Sequence, residues 1–282
     1  MRLLMGVSFL LVCVLQAVLA PPAGCTVIHV PSEVATIQAA INVSVYGDTV
    51  LVAPGTYRER VFPKDGVALI GSGAHRTAIW PLNSHPVVLQ GDFGRDTRIE
   101  SFLLIGHTVN TWDSCIWCEF NCSPTIRFNV LTGAVNGVLL KENKGFPLIE
   151  YNTIYANSGY GVLSYSGDEP PAQGVPSVRN NVIAANGAGI GRNQEAAPLD
   201  PPPDYNDAWS NGTNYALCSP GEHSISSDPM FCSPAFHNFY VDAMSPVIGA
   251  GEFGTDMGAL GVGCGASQVE PSSWTQIKAM WK

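Results

Sequence analysis

The feature that most restricts how this chain can fold is an internal repeat. Three segments superimpose: Pro124-Thr-Ile-Arg-Phe-Asn-Val-Leu, Pro147-Leu-Ile-Glu-Tyr-Asn-Thr-Ile and Pro176-Ser-Val-Arg-Asn-Asn-Val-Ile. Their equivalent asparagines, Asn129, Asn152 and Asn181, are 23 and 29 residues apart. A second set is interleaved with the first: Cys115-Ile-Trp-Cys, Gly137-Val-Leu-Leu, Gly161-Val-Leu-Ser and Gly189-Ile-Gly-Arg, at intervals of 22, 24 and 28. The longest interval contains an inserted loop, Ser166 to Gly174. A unit this short holds no core of its own and has to stack on its neighbours. Two lanes sharing one period of about 22–29 residues therefore predict an all-β parallel solenoid.

Side-chain roles follow from the period. Ile126, Ile149 and Val178, with Leu131, Ile154 and Ile183, are expected to form apolar stacks inside the coil. Asn129, Asn152 and Asn181 form a structural ladder at a tight turn, each amide bonding to the next coil, because asparagine tolerates left-handed backbone and satisfies local polar groups. Arg127, Glu150 and Arg179 alternate with the apolar positions and are expected to point outward, about 4.8 Å apart. Upstream, Ser32 to Asn42 has helical spacing with Ser32 as a candidate N-cap, and reads as a capping helix over the exposed first coil. Gly47 to Tyr57 and Gly66 to Gly71 read as strands, as do Ser245 to Gly251 and Asp256 to Gly261 near the end.

Composition agrees. Gly (29) and Pro (21) supply turns, while 46% apolar residues exclude disorder. The net charge of −9 leaves no basic surface for nucleic acid or anionic lipid. Arg2 followed by the apolar run Leu3 to Leu19 and by Ala20-Pro21-Pro22-Ala23 reads as a secretory signal peptide, placed at 1–24. A membrane anchor and lipidation of Cys25 are the competing readings. Removing a leader that carries one Arg and no acid takes −9 to −10, and no later stretch is long enough to span a bilayer. The solenoid is assigned to 25–265, and 266–282 to a C-terminal tail with a short helix. Export makes disulfides the default, with Cys218 and Cys232 the expected pair across a turn-rich loop. Cys115, Cys118 and Cys122 have CxxC spacing, but they sit in a strand-like run without a fourth zinc ligand or a helix N-terminus.

The string TIQAAIN, then GDTVLVAPGTYRERV and GVALIGSG, then the repeats, resembles secreted right-handed parallel β-helix proteins of the pectin-lyase-like superfamily, bacterial type. The ending, DYNDAW…DPMFC…SPVIGAGEFGTDMGALG, is similar to bacterial members. The resemblance runs from about Thr26 to Gly265 and implies the fold; the architecture hosts several activities. The catalytic motifs of such enzymes do not transfer. Asn152-Thr153 is followed by Ile154, no Asp-Asp pair occurs, Gly106-His107-Thr108 lacks the second glycine, and Arg179 lacks the partners of a lyase arginine.

Two places can bind something. Alternation in the Gly-Val lane turns Ile116, Val138 and Val162 inward, and Trp117, Leu139, Leu163, Glu119, Lys141 and Tyr165 outward. Trp117, Glu119, Lys141 and Tyr165 would stack on sugar rings and bond their hydroxyls; an ordinary sheet face is the alternative. Asp200, Asp204 and Asp207 lie in a proline-rich loop that would hold calcium through oxygen ligands or provide an acid/base couple, if it is not a stiff connector. No motif implies another cofactor. His75, His85, His107, His223 and His237 show no metal-ligand spacing and are expected in turns or at the surface. The leading reading is an exported, non-catalytic glycan-binding or structural β-helix with an extracellular or cell-surface polysaccharide partner. The competing reading is a polysaccharide lyase or glycoside hydrolase with a non-standard acidic site.

Overall fold

The computed structural model describes residues 24–167 and 174–264; the segment expected to be a leader, apart from Gly24, and the expected C-terminal tail at 266–282 lie outside them. The chain winds into a parallel β-solenoid of about seven turns, with three sheets running along its length. Sheet A contains Val27–Val30, Thr49–Val52, Ala68–Gly71, Arg98–Glu100, Thr125–Arg127, Leu148–Glu150 and Ser177–Arg179. Sheet B contains Gly55–Tyr57, Thr77–Ile79, Leu103–Ile105, Val130–Thr132, Thr153–Tyr155, Val182–Ala184 and Asp207–Trp209. Sheet C contains Val87–Phe93, Ser114–Cys122, Asn136–Lys141, Tyr160–Tyr165, Ala188–Arg192 and Tyr215–Ala216. Within each sheet, strands of successive coils lie side by side, as the repeat predicts.

The inward stacks fall where the period puts them. Val50, Leu69, Ile99, Ile126, Ile149 and Val178 are in register along sheet A and buried. Ile79, Leu104, Leu131, Ile154 and Ile183 do the same in sheet B, and Val87, Ile116, Val138, Val162 and Ile190 in sheet C. The glycines of the Gly-Val lane mark a corner too tight for a side chain. A Cβ on Gly161 would stand 2.6 Å from Ile183 Cγ2 and 2.8 Å from the Gly189 carbonyl oxygen.

The asparagine ladder is continuous. Asn152 Oδ1 accepts from the backbone N–H and side-chain amide of Asn129, and Asn181 Oδ1 accepts the same two bonds from Asn152. Asn206 adds a further rung. The left-handed residue is the one before each asparagine: φ is 56° at Phe128, 53° at Tyr151, 56° at Asn180 and 53° at Tyr205. Asparagine is thus required for its two-sided amide, and the strained backbone falls on its neighbour. A second ladder, unforeseen in the sequence, joins Asn157, Asn186 and Asn211 at the corner between sheets B and C. It also engages the amide of Asn211, which donates to the Ile183 carbonyl at 2.8 Å.

The charged row on sheet A is more than a solvated decoration. Glu100 and Glu150 are only 3% and 7% exposed, and each is paired with an arginine, Arg127 at 3.0 Å and Arg179 at 3.2 Å. Arg179 also holds Glu252 at 2.9 Å, tying the C-terminal segment to the coil.

Three local expectations are corrected. The capping helix is Ile37–Val43, and Thr36 caps it in place of Ser32. Glu33 and Val34 donate to the His29 carbonyl in a turn, while the Glu59 carboxylate accepts the Ile37 and Gln38 N–H groups, so the helix begins where those donors are met. Ile37, Ala40 and Ile41 then close the first coil. Ser245 to Gly251 and Asp256 to Gly261 are turns and irregular chain instead of strands, with a short 3-10 helix, Glu252–Gly254, between them. This segment folds back over the outer face of sheet B, with Val241, Val247 and Met257 packed on Val182, and Phe239 on Val130. The disulfide joins Cys232 to Cys264, leaving Cys218 free. Cys218 faces the solenoid core beside the Ile190 carbonyl, whereas Cys232 sits on the hairpin Phe231–Ser233/Asn238–Val241 across the outside of sheet B, so the two thiols belong to different layers.

Candidate functional site

Sheet C presents the candidate face. Register places Val88, Trp117, Leu139, Leu163 and Gly191 in one outward row, and Gln90, Glu119, Lys141 and Tyr165 in the next. Trp117, Glu119, Lys141 and Tyr165 thus lie on one surface, as the alternation predicts. Leu139 and Leu163 point outward but are buried, at 0% and 8% exposure. Trp112, in the turn before the strand Ser114–Cys122, meets Tyr165 edge-on at 4.7 Å, two strands away, so this turn reaches past the Asn136–Lys141 strand. The face is therefore a short polar-aromatic patch beside a covered apolar row.

Glu119 is the hub. Lys141 Nζ donates to Oε1 at 2.9 Å and Gln90 Nε2 to Oε2 at 2.6 Å. Burial works against the charge of Glu119, yet the bonds from Lys141 and Gln90 hold its carboxyl below the usual carboxylate range. Lys141 also lies 5.6 Å from the centre of the Trp117 ring. His85 packs edge-on to Trp117 at 4.9 Å, and its Nδ1 lies 3.1 Å from the Ser114 backbone nitrogen and 3.3 Å from the Ser114 carbonyl oxygen. Burial, reinforced by the charge of Arg60, lowers the His85 pKa. His85, half-buried beside the indole, is thereby a site residue that the scattered histidine spacing concealed. Trp112 and Gln90 were missed too. Their signals were an aromatic two positions before a repeat strand and an amide in the strand preceding it.

Hydrolysis at a glycosidic bond ordinarily uses two carboxyl groups, roughly 5–9.5 Å apart, one of them protonated. The two outward rows contain one carboxylate, Glu119, and it is ionised and held by two donors. What they offer a ligand is an indole face, a phenol, an ammonium and an exposed amide.

The acidic loop does not gather its three carboxylates. Asp200 is exposed. Asp204 accepts the His223 N–H and Nδ1, both at 2.8 Å, while the His223 ring stacks on Tyr205 at 4.4 Å. Asp207 is fully buried: Oδ1 accepts the Ser227 N–H at 3.0 Å, and Oδ2 has no hydrogen-bond partner. Burial pushes its carboxyl up to about 7. Among the described residues, no three His, Cys, Asp or Glu side chains form a group able to hold a metal ion. Cys115, Cys118 and Cys122 are all buried in strand Ser114–Cys122, and burial pushes the Cys115 thiol to about 12 and that of Cys122 to about 11. Such thiols stay protonated and serve as small core residues.

The fold and this face define a parallel β-solenoid with an aromatic, charge-paired patch on one sheet. Comparison with protein-family models finds no match, and a search of the curated proteins finds none. No described helix is long and apolar enough to cross a membrane.

Proposed function

We propose that the chain is an exported glycan-binding module, of the pectin-lyase-like kind its sequence resembles, which grips an extracellular or cell-surface polysaccharide with the outer face of sheet C. The observation that carries this reading is the Trp117 cluster. The indole packs against His85 and lies near Lys141, and beside it Glu119 is held ionised by Lys141 and Gln90. An indole face takes the C–H surface of a sugar, and fixed charge-assisted groups around it take hydroxyls without reorganising. The formal charge of −9 disfavours a polyanionic glycan, so the ligand is a neutral polysaccharide. Export supports the reading through the leader at 1–24 and the Cys232–Cys264 disulfide, which belongs to an oxidising compartment.

The test is a polysaccharide panel assayed both for retention and for new reducing ends or unsaturated products. Binding of a neutral glycan that Trp117→Ala abolishes supports the module. Turnover of any polysaccharide would replace it with the lyase or hydrolase reading.

A further inference from the structure

A second binding site lies on the other side of the coil. Tyr155, Ala184 and Trp209 are in register on three neighbouring strands of sheet B. Each follows an inward residue, Ile154, Ile183 and Ala208, so all three side chains face outward. The C-terminal segment folds over this face but leaves a cleft of about 260 Å³, in which Asp228, Met230 and Phe231 oppose the three sheet residues.

We infer that this cleft is a binding site for a single neutral hexopyranose unit, separate from the sheet C face and not dependent on it. Neighbouring strands are about 4.8 Å apart, so Tyr155 and Trp209 rise about 9.6 Å apart, with only the Ala184 methyl between them. A flat aromatic ring held between two others needs about 7 Å, two contacts of about 3.5 Å. A puckered pyranose needs those contacts plus its own thickness, which the wider slot supplies. One wall is fixed in advance: Tyr155 meets Phe231 edge-on at 5.8 Å and Phe239 at 5.2 Å. Trp209 is 37% exposed, so one wall stays open to an entering ligand.

Polarity selects the ligand class. Asp228 Oδ1 accepts the Met230 N–H at 2.9 Å, which orients the carboxylate and leaves Oδ2 for a sugar hydroxyl. Ser210 lines the same cleft. A carboxylate at the rim repels uronic acids and sulfated sugars, and the volume lies below the range of roughly 300–1,000 Å³ typical of larger ligands. One uncharged ring is what fits.

The experiment uses the full chain with free glucose, galactose, mannose and N-acetylglucosamine, followed by ligand-observed NMR and calorimetry. At least one of them is expected to bind with a Kd on the order of 1 mM. Ala184→Leu fills the slot without removing either ring and is expected to weaken binding at least about tenfold, as is Trp209→Ala. The titrations are run in the parent chain and repeated in the Trp117→Ala background, so that binding left after the sheet C face is disabled reports the cleft alone. Circular dichroism melting of each variant checks that the coil is intact. The inference is overturned if none of the four sugars binds in the Trp117→Ala background, or if adding Ala184→Leu to that folded background leaves the binding as it was.

Discussion

Replacing Asn152 by Ala probes the ladder where it is fully buried. Asn152 Oδ1 accepts the Asn129 N–H at 3.0 Å and its side-chain amide at 3.1 Å. Its Nδ2 donates to the Ile126 and Glu150 carbonyls at 2.9 and 3.0 Å and to Asn181 Oδ1 at 3.0 Å. Alanine removes all five bonds and strands the Asn129 N–H, while the Asn129 amide keeps its bond to the Ile99 carbonyl. A stranded buried donor costs about 1–3 kcal/mol, and each further lost bond about 1 kcal/mol. Since the effects overlap, the expected loss is about 3–5 kcal/mol, a large share of the roughly 5–15 kcal/mol that stabilises a domain. Urea unfolding followed by circular dichroism measures it, with Ser158→Ala at an exposed position on the same coil as a control within about 0.5 kcal/mol. A loss under about 1 kcal/mol for Asn152→Ala would show that the coils are held by their apolar stacks alone.

Two other perturbations follow from the C-terminal half. The folded pKa of Asp207, about 7, lies above its unfolded value, so the native state holds a proton that the unfolded state releases. Stability from this group is complete below about pH 4 and is lost as pH rises through about 7, by on the order of 4 kcal/mol from roughly three pK steps. Asp207→Asn should flatten that fall, and parallel melting curves for the two proteins across pH 4–8 would refute it. Cys264→Ser opens a disulfide that spans 32 residues, for an expected loss of about 3–4 kcal/mol. Hydrogen exchange should locate the loosening in the segment over sheet B; loosening that starts in sheet A would contradict the layering described here.

How much of this was legible depended on whether a feature lay within one coil. The inward stacks, the Asn129–Asn152–Asn181 ladder and the shared face of Trp117, Glu119, Lys141 and Tyr165 all follow from a period that strand alternation converts directly into position. The ladder through Asn157, Asn186 and Asn211 lies five residues beyond the first in the same repeat and was not legible because the Asn129 coil has Ala134 at that position, so the asparagine does not recur in all three aligned segments. The Trp112–Tyr165 contact was invisible because it joins side chains of different coils. The Cys232–Cys264 pairing and the Tyr155–Trp209 cleft depend on a chain that leaves the coil and returns across sheet B. Periodicity carries no information about where a non-repeating segment docks.

The most direct test of the glycan-binding account is calorimetric titration of the full chain with the neutral polysaccharide best retained in the panel, repeated with Trp117→Ala and Lys141→Ala. The account predicts saturable binding by the parent chain. It also predicts at least a tenfold loss for Trp117→Ala, about 1.4 kcal/mol, and a smaller loss for Lys141→Ala, which frees Glu119. Equal affinities for all three proteins would contradict it and leave sheet C as an ordinary outer face of the solenoid.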